Sequence, residues 1–319
     1  WSRVPYVSMV NFWWVGSIAL VFWLATLTPD IERCWQWASR AVFLVGLFLA
    51  GMALYQLLIL GADPRSTFLS RNSHAAFLIL VAIPASSYFL LAHQNLQRVI
   101  AGAALFILFL AIAVTGSRGV MLSLLIGAVV IVAVAWRRVP KGRLIEWFVI
   151  VAGAYLAANF FLHGWLAGRL GSVLAPGDAG HDRFLIWHGA LKMALDAPWL
   201  GIGLGTFWLA WPPYRLPADS SAGFYVHNDY LQLWIETGLP GLLLLLAIEV
   251  SVLVLFVRAL RNTKVETPVR LEMAGLVGGL MAIAFHSFFD FDLYIHPILL
   301  VIGLMLARLQ YLDGLQQHT

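Results

Sequence analysis

From Val99 to Trp136 the chain runs for 38 residues with a single charged side chain, Arg118. A stretch of that length matches two crossings of a hydrocarbon layer about 30 Å thick, each needing about 20 apolar residues. Similar runs lie at about 8–27, 41–61, 75–92, 99–115, 119–136, 144–162, 237–257, 271–289 and 297–309, which predicts nine membrane-spanning helices in one all-α bundle. Composition agrees: 61% of the 319 residues are hydrophobic and 11% are charged, which excludes a water-soluble enzyme. The net charge of +4 comes from basic residues scattered through short loops, so nucleic acid is not an expected partner and membrane lipids are. The single cysteine, Cys34, excludes an internal disulfide and a cysteine-based metal cluster.

Charge sets the expected orientation. Arg137, Arg138, Lys141 and Arg143 fill one short loop, and Arg258, Arg261, Lys264 and Arg270 fill another; the positive-inside tendency puts both in the cytoplasm. Alternation then places loops 28–40 and 93–98 and the C-terminal tail inside, with 12 of the 20 Lys and Arg on that side. Trp1 falls outside, the arrangement expected of a fragment lacking an odd number of N-terminal helices. Three breaks face outward: Asp63 to His74, the Gly116-Ser117-Arg118-Gly119 corner, and a long segment at 163–228. In that segment Asp182 can cap an amphipathic helix carrying Phe184, Trp187, Leu191, Ala194 and Leu195, with Pro198 just past its end. Gly201-Ile202-Gly203-Leu204-Gly205 then reads as a tight turn or re-entrant piece, since no strand precedes it and residue 206 is Thr.

Most polar residues that could carry chemistry lie on this outer side. His227 precedes Asn228 and Asp229; imidazole titrates near neutral pH and can take a proton from a sugar hydroxyl, although a plain interfacial role fits equally. Asp229, Gln232 and Glu236 share one helix face, as a polar lining to a cavity or as a capping group. Arg118 needs an anion or water, and either snorkels to a headgroup or binds a phosphate. Arg183 stands at a helix N-terminus, where a further cation is unfavourable unless an anion or Asp182 compensates. Arg71 with Asn72 and His74 makes a third outer polar site. After His286, the Asp290-Phe291-Asp292 pair could hold a divalent metal, cap a helix or pair with an arginine. His163, His181 and His188 match no zinc spacing. Glu249 sits inside the seventh span with no evident partner, the residue that best suits a transporter.

In order, Arg71-Asn72-Ser73-His74-Ala75, Thr115-Gly116-Ser117-Arg118-Gly119, Arg183 with Trp187, Pro198-Trp199-Leu200-Gly201-Ile202-Gly203, His227-Asn228-Asp229-Tyr230-Leu231-Gln232, Glu236-Thr237-Gly238-Leu239-Pro240-Gly241 and His286-Ser287 with Asp290-Phe291 resemble the O-antigen ligase and O-antigen polymerase-like membrane proteins. The resemblance implies a GT-C-like glycosyltransferase of about twelve spans in the bacterial inner membrane, with its site facing the periplasm. It implies an undecaprenyl-diphosphate-linked glycan as donor, a lipid A-core sugar as acceptor, inversion at the anomeric carbon, and no metal or other cofactor. By resemblance Arg118 and Arg183 would hold the diphosphate and His227 would activate the acceptor hydroxyl. Arg71 is a further diphosphate candidate, and His74, Asn228, Asp229, Glu236, His286 and Asp290 are supporting ones. A polymerase or a protein oligosaccharyltransferase would share this donor site and differ in acceptor. A solute transporter of the bicarbonate kind, the reading from another class, predicts inverted repeats and a midplane polar site. No repeat is evident, and His296 before Pro297 departs from the apolar residue many relatives carry there.

Overall fold

The computed structural model describes residues 2–164, 166–168, 181–217, 219, 223–262 and 264–317, all helix, turn and loop with no β-strand among them. Nine of its helices are long and apolar enough to cross a membrane: α1 (Pro5–Leu27), α2 (Ile31–Leu58), α3 (Arg71–Leu91), α4 (Asn95–Val114), α5 (Arg118–Ala135), α6 (Lys141–Phe161), α8 (Asp229–Arg261), α9 (Thr267–His286) and α10 (His296–Gln317). Between α6 and α8 lies the shorter α7 (His181–Asp196). Every predicted span is present. Two begin well over a turn ahead of their apolar runs: α2 starts at Ile31, so most of the expected 28–40 loop is helix, and α8 starts at Asp229. Polar first turns that pack on protein extend both. Asp30 accepts from the Arg33 N–H and Glu32 pairs with Arg308 at 2.9 Å, while Asn228 accepts from the Leu231 N–H.

The middle of the bundle is α3, buried along nearly its whole length, with α9 packed against α3 and α5. Small residues let α5 and α9 approach: a Cβ on Gly127 would stand 3.1 Å from the Gly278 carbonyl oxygen. The two ends differ in chemistry. At one end Arg143 Nη1 donates to the Leu90 carbonyl at 2.9 Å, Arg98 faces Glu146 at 3.5 Å, and Arg308 grips Glu272 through Nε at 2.7 Å and Nη2 at 3.0 Å. At the other end the α3, α5, α8 and α10 N-termini and the α9 C-terminus meet α7 and the 197–228 segment.

The long segment between α6 and α8 thus carries the helix expected in it, α7. Ile186, Ala190, Met193 and Ala194 of α7 pack on Phe207, Trp211 and Ile235. Phe184, Leu191 and Leu195 point away and are exposed, so α7 is apolar on two sides, one for the protein and one for its surroundings. Trp1, expected outside, and the Asp182 side chain, expected to cap α7, lie outside the described residues.

Candidate functional site

Asp290, in the turn between α9 and α10, is 1% exposed and gathers side chains from three other segments. Asn72, in the first turn of α3, donates to Asp290 Oδ2 at 2.7 Å. Arg183 Nη2, in the first turn of α7, stands 3.7 Å from the same oxygen. His227 Nδ1 lies 3.5 Å from Oδ1, an ion-pair distance rather than a hydrogen bond. Burial alone would raise the Asp290 carboxyl, but His227, His286 and Arg183 outweigh it and hold the group at about 2. A carboxylate is therefore fixed between an arginine and a histidine that both keep about a third of their side chains exposed.

The backbone prepares this arrangement. His227 adopts φ +56°, a left-handed conformation uncommon for a residue with a Cβ, and so turns its ring out of the path from Val226 into α8. Neighbours hold it there: the Val226 N–H donates to Gln232 Oε1 at 2.9 Å, Trp187 Nε1 donates to the Val226 carbonyl at 3.1 Å, and the Asp229 N–H donates to the Ser287 carbonyl at 2.8 Å. The imidazole meets the Phe291 ring edge-on at 5.1 Å, and Tyr225 stacks on that ring at 4.1 Å. Burial raises the Tyr225 phenol, with Glu236 and Asp229 adding to the effect.

Behind Asp290 lies a second acid and base pair. His286 Nδ1 and Asp292 Oδ2 are 2.6 Å apart and both side chains are buried. Burial and the nearby Asp290 push the Asp292 carboxyl up against the pull of His286. Asp290 and Asp292 thus face different partners and do not form the paired oxygen ligands that their spacing allowed. The His286 ring also packs on Gly119, where a Cβ would stand 3.1 Å from its Cδ2, so the glycine corner that carries Arg118 is seated against this pair. Arg118 is the first residue of α5 and is partly exposed.

Other candidates stand apart from Asp290. Arg71 pairs with Asp63 at 3.7 Å, although its neighbour Asn72 joins the cluster. His74 is fully buried in α3 beside the Phe68 ring at 5.7 Å, and among the described residues neither of its nitrogens has a hydrogen-bond partner. Glu236 acts as a clamp: it accepts from the Gly205 N–H at 2.7 Å, the Phe207 N–H at 3.1 Å and the Tyr294 hydroxyl at 2.8 Å. Through it the 201–205 glycine segment, with φ of +66°, +116° and +73° at Gly201, Gly203 and Gly205, is laid against a break in α8 at Gly238. The tight turn expected there is present, and it is bonded to α8. Of the polar face Asp229, Gln232 and Glu236, Asp229 lines a cavity of about 70 Å³ also walled by Asn11, Trp14 and His296. Its Oδ2 accepts from the Leu293 N–H at 3.0 Å, so the face mainly ties segments together. Asn228, not Asp229, is the N-cap. Glu249 does have a partner, the Tyr230 hydroxyl at 2.7 Å.

Sequence reasoning passed over Tyr294 and treated Asn72 only as a neighbour of Arg71. A polar residue on a first helical turn beside an apolar span was the available signal for Asn72; nothing local marks Tyr294.

No match to this chain is found among curated proteins. The family model described as O-antigen ligase matches residues 103–246, a range that includes Arg118, Arg183, His227 and Glu236 and stops short of His286 and Asp290. Residues 103–246 of this chain, whose described residues form a bundle of apolar helices, are thus similar to the O-antigen ligase family.

Proposed function

We propose that this protein transfers a glycan from undecaprenyl diphosphate to a sugar hydroxyl of lipid A-core at the periplasmic face of the inner membrane, with His227 as general base. The observation that carries the reading is the convergence on buried Asp290 of Arg183, His227 and Asn72, from segments far apart in the chain. With Nδ1 turned inward to Asp290, the His227 Nε2 atom is left for the acceptor. In this scheme the acceptor oxygen attacks the anomeric carbon from the face opposite the diphosphate while its proton passes to Nε2. The bond to the diphosphate oxygen breaks and the configuration inverts. Asp290 orients the imidazole and stabilises its protonated form. Arg183 and Arg118 take the charge arriving on the diphosphate, a role that suits planar guanidinium groups in a site partly shielded from water. Arg71, Asp229, Glu236, His74 and His286 support the site by holding α3, α8 and α9 around it. No metal or nucleotide enters the scheme.

The test uses the protein in lipid vesicles with undecaprenyl-diphosphate-linked glycan, with and without lipid A-core, products being resolved by gel and mass spectrometry. Transfer to the core should fall by about 10² to 10⁴ in His227→Ala. Chain growth on donor alone would make the protein a polymerase. Donor left intact in every combination, by folded protein, would overturn the lipid A-core acceptor and point first to a protein acceptor and then to transport through Glu249.

A further inference from the structure

The second half of α8 buries Val252, Phe256 and Ala259 against the bundle and turns Val250, Leu253, Val254 and Val257 outward, where each is between 40% and 57% exposed. These four and the side chains of Arg258 and Arg261 line a shallow furrow of about 370 Å³. At 1.5 Å per residue the stripe from Val250 to Arg261 is about 16 Å long, close to the depth of one leaflet of a hydrocarbon core of about 30 Å. Its apolar part ends where its two guanidinium groups begin.

Arginines in a last helical turn commonly offset the negative end of the helix dipole. Here another residue already does so. Arg270 of α9, 5% exposed, donates through Nη1 to the Leu260 carbonyl at 3.0 Å, through Nε to the Val265 carbonyl at 2.9 Å and through Nη2 to the Asn262 carbonyl. Arg258 and Arg261 project instead along the outward stripe, and among the described residues neither guanidinium has an acidic or hydrogen-bond partner. Arg137, Arg138, Lys141 and Arg143 lie at the same end of the bundle, so the local field favours an anion.

We propose that this stripe binds one anionic phospholipid, with an acyl chain along Val250, Leu253, Val254 and Val257 and the phosphate between Arg258 and Arg261. Two guanidinium groups, each with several donors, suit a phosphate, and a net negative headgroup is favoured over a zwitterionic one that brings its own cation. The site is independent of the glycan-transfer reading, since it lies at the opposite end of α8 from His227.

Native mass spectrometry of the purified protein with phosphatidylglycerol, phosphatidylethanolamine of the same acyl chains, and inorganic phosphate tests it. Phosphatidylglycerol should bind about 30-fold more tightly than phosphatidylethanolamine, and phosphate alone should bind no more than to a soluble control protein. R258Q/R261Q should bring the two lipids level, each single variant should lose about five-fold, and R33Q/R40Q, at two exposed arginines of α2, should keep the preference. Equal binding of both lipids by the unaltered protein, a preference that survives in R258Q/R261Q, or retention of phosphate without acyl chains would each overturn the proposal. Both arginines are exposed, so the double variant should elute and unfold as the parent does; if it does not, the single variants carry the same comparison.

Discussion

Replacing Asp290 by Asn keeps the shape of the side chain and removes the charge that sits between Arg183 and His227. In the transferase reading glycan transfer should drop by about 10²-fold or more, because the imidazole loses the group that orients it and stabilises its cation. Transfer at the parental rate would remove Asp290 from the machinery. Stability gives a second readout with a definite sign. The folded Asp290 carboxyl is held below its ordinary value of 3.8, at about 2, so its contribution is complete above 3.8 and is lost as pH falls through about 2. The unaltered protein should lose about 2 kcal/mol from this group over that window, and Asp290→Asn should lack that component of the acid unfolding curve. By its own chemistry Asp290 was legible in the sequence as half of an Asp-x-Asp pair, and by resemblance as a supporting residue. Whether two acids so spaced converge depends on the turn they occupy, and this turn sends one to Arg183 and the other to His286. His227 was easier to read, because a histidine ahead of a polar helix start is conspicuous beside so many apolar spans.

At the scale of elements, the seam between the 201–205 glycines and the broken middle of α8 positions much of what surrounds His227. Gly238 has φ +72° and ψ −175°, and a Cβ there would run into the Trp199 carbonyl; Gly238→Ala should lower stability by about 1 to 3 kcal/mol, measured as a fall in unfolding midpoint in detergent. Glu236→Gln tests the same seam from the other side. Glutamine has one acceptor oxygen for the two N–H donors and the tyrosine hydroxyl that the carboxylate now serves, and its NH₂ would face one of those donors. A loss of about 1 to 3 kcal/mol is expected, with residual transfer tracking the folded fraction. Unchanged stability with abolished transfer would instead put Glu236 in contact with substrate. The nine spans were legible because long apolar runs leave few alternatives. Their ends were not: the first ten residues of α2 carry Glu32, Arg33 and Arg40 and look like loop until Arg308 supplies a partner for Glu32. The buried side of α7 was read only in part: Trp187 and Ala194 were on the expected face, but Ile186, Ala190 and Met193, which pack on the 207–211 segment and α8, were not, because the helix is apolar on two sides.

On the scale of the whole molecule, the bundle is polarised. Buried acids and histidines with Arg183 occupy one end, and Arg98, Arg143, Arg258, Arg261, Arg270 and Arg308 occupy the other. Positive loops are retained on the cytoplasmic side, so the site end should face away from the cytoplasm. Cys34, near the start of α2, belongs to the basic end, which gives a direct measurement. In intact cells a membrane-impermeant maleimide should leave Cys34 unlabelled. In a Cys34→Ser background it should label a cysteine placed at Ala62, an exposed residue of the turn between α2 and α3, and spare one at Lys264. Opening the cells should make Lys264→Cys reactive without changing the result at Ala62. The reverse pattern would put the His227 and Asp290 cluster on the cytoplasmic side, out of reach of an acceptor in the periplasm. It would also place the Arg258 and Arg261 phosphate site in the outer leaflet, so one labelling experiment fixes the side of both ends of α8.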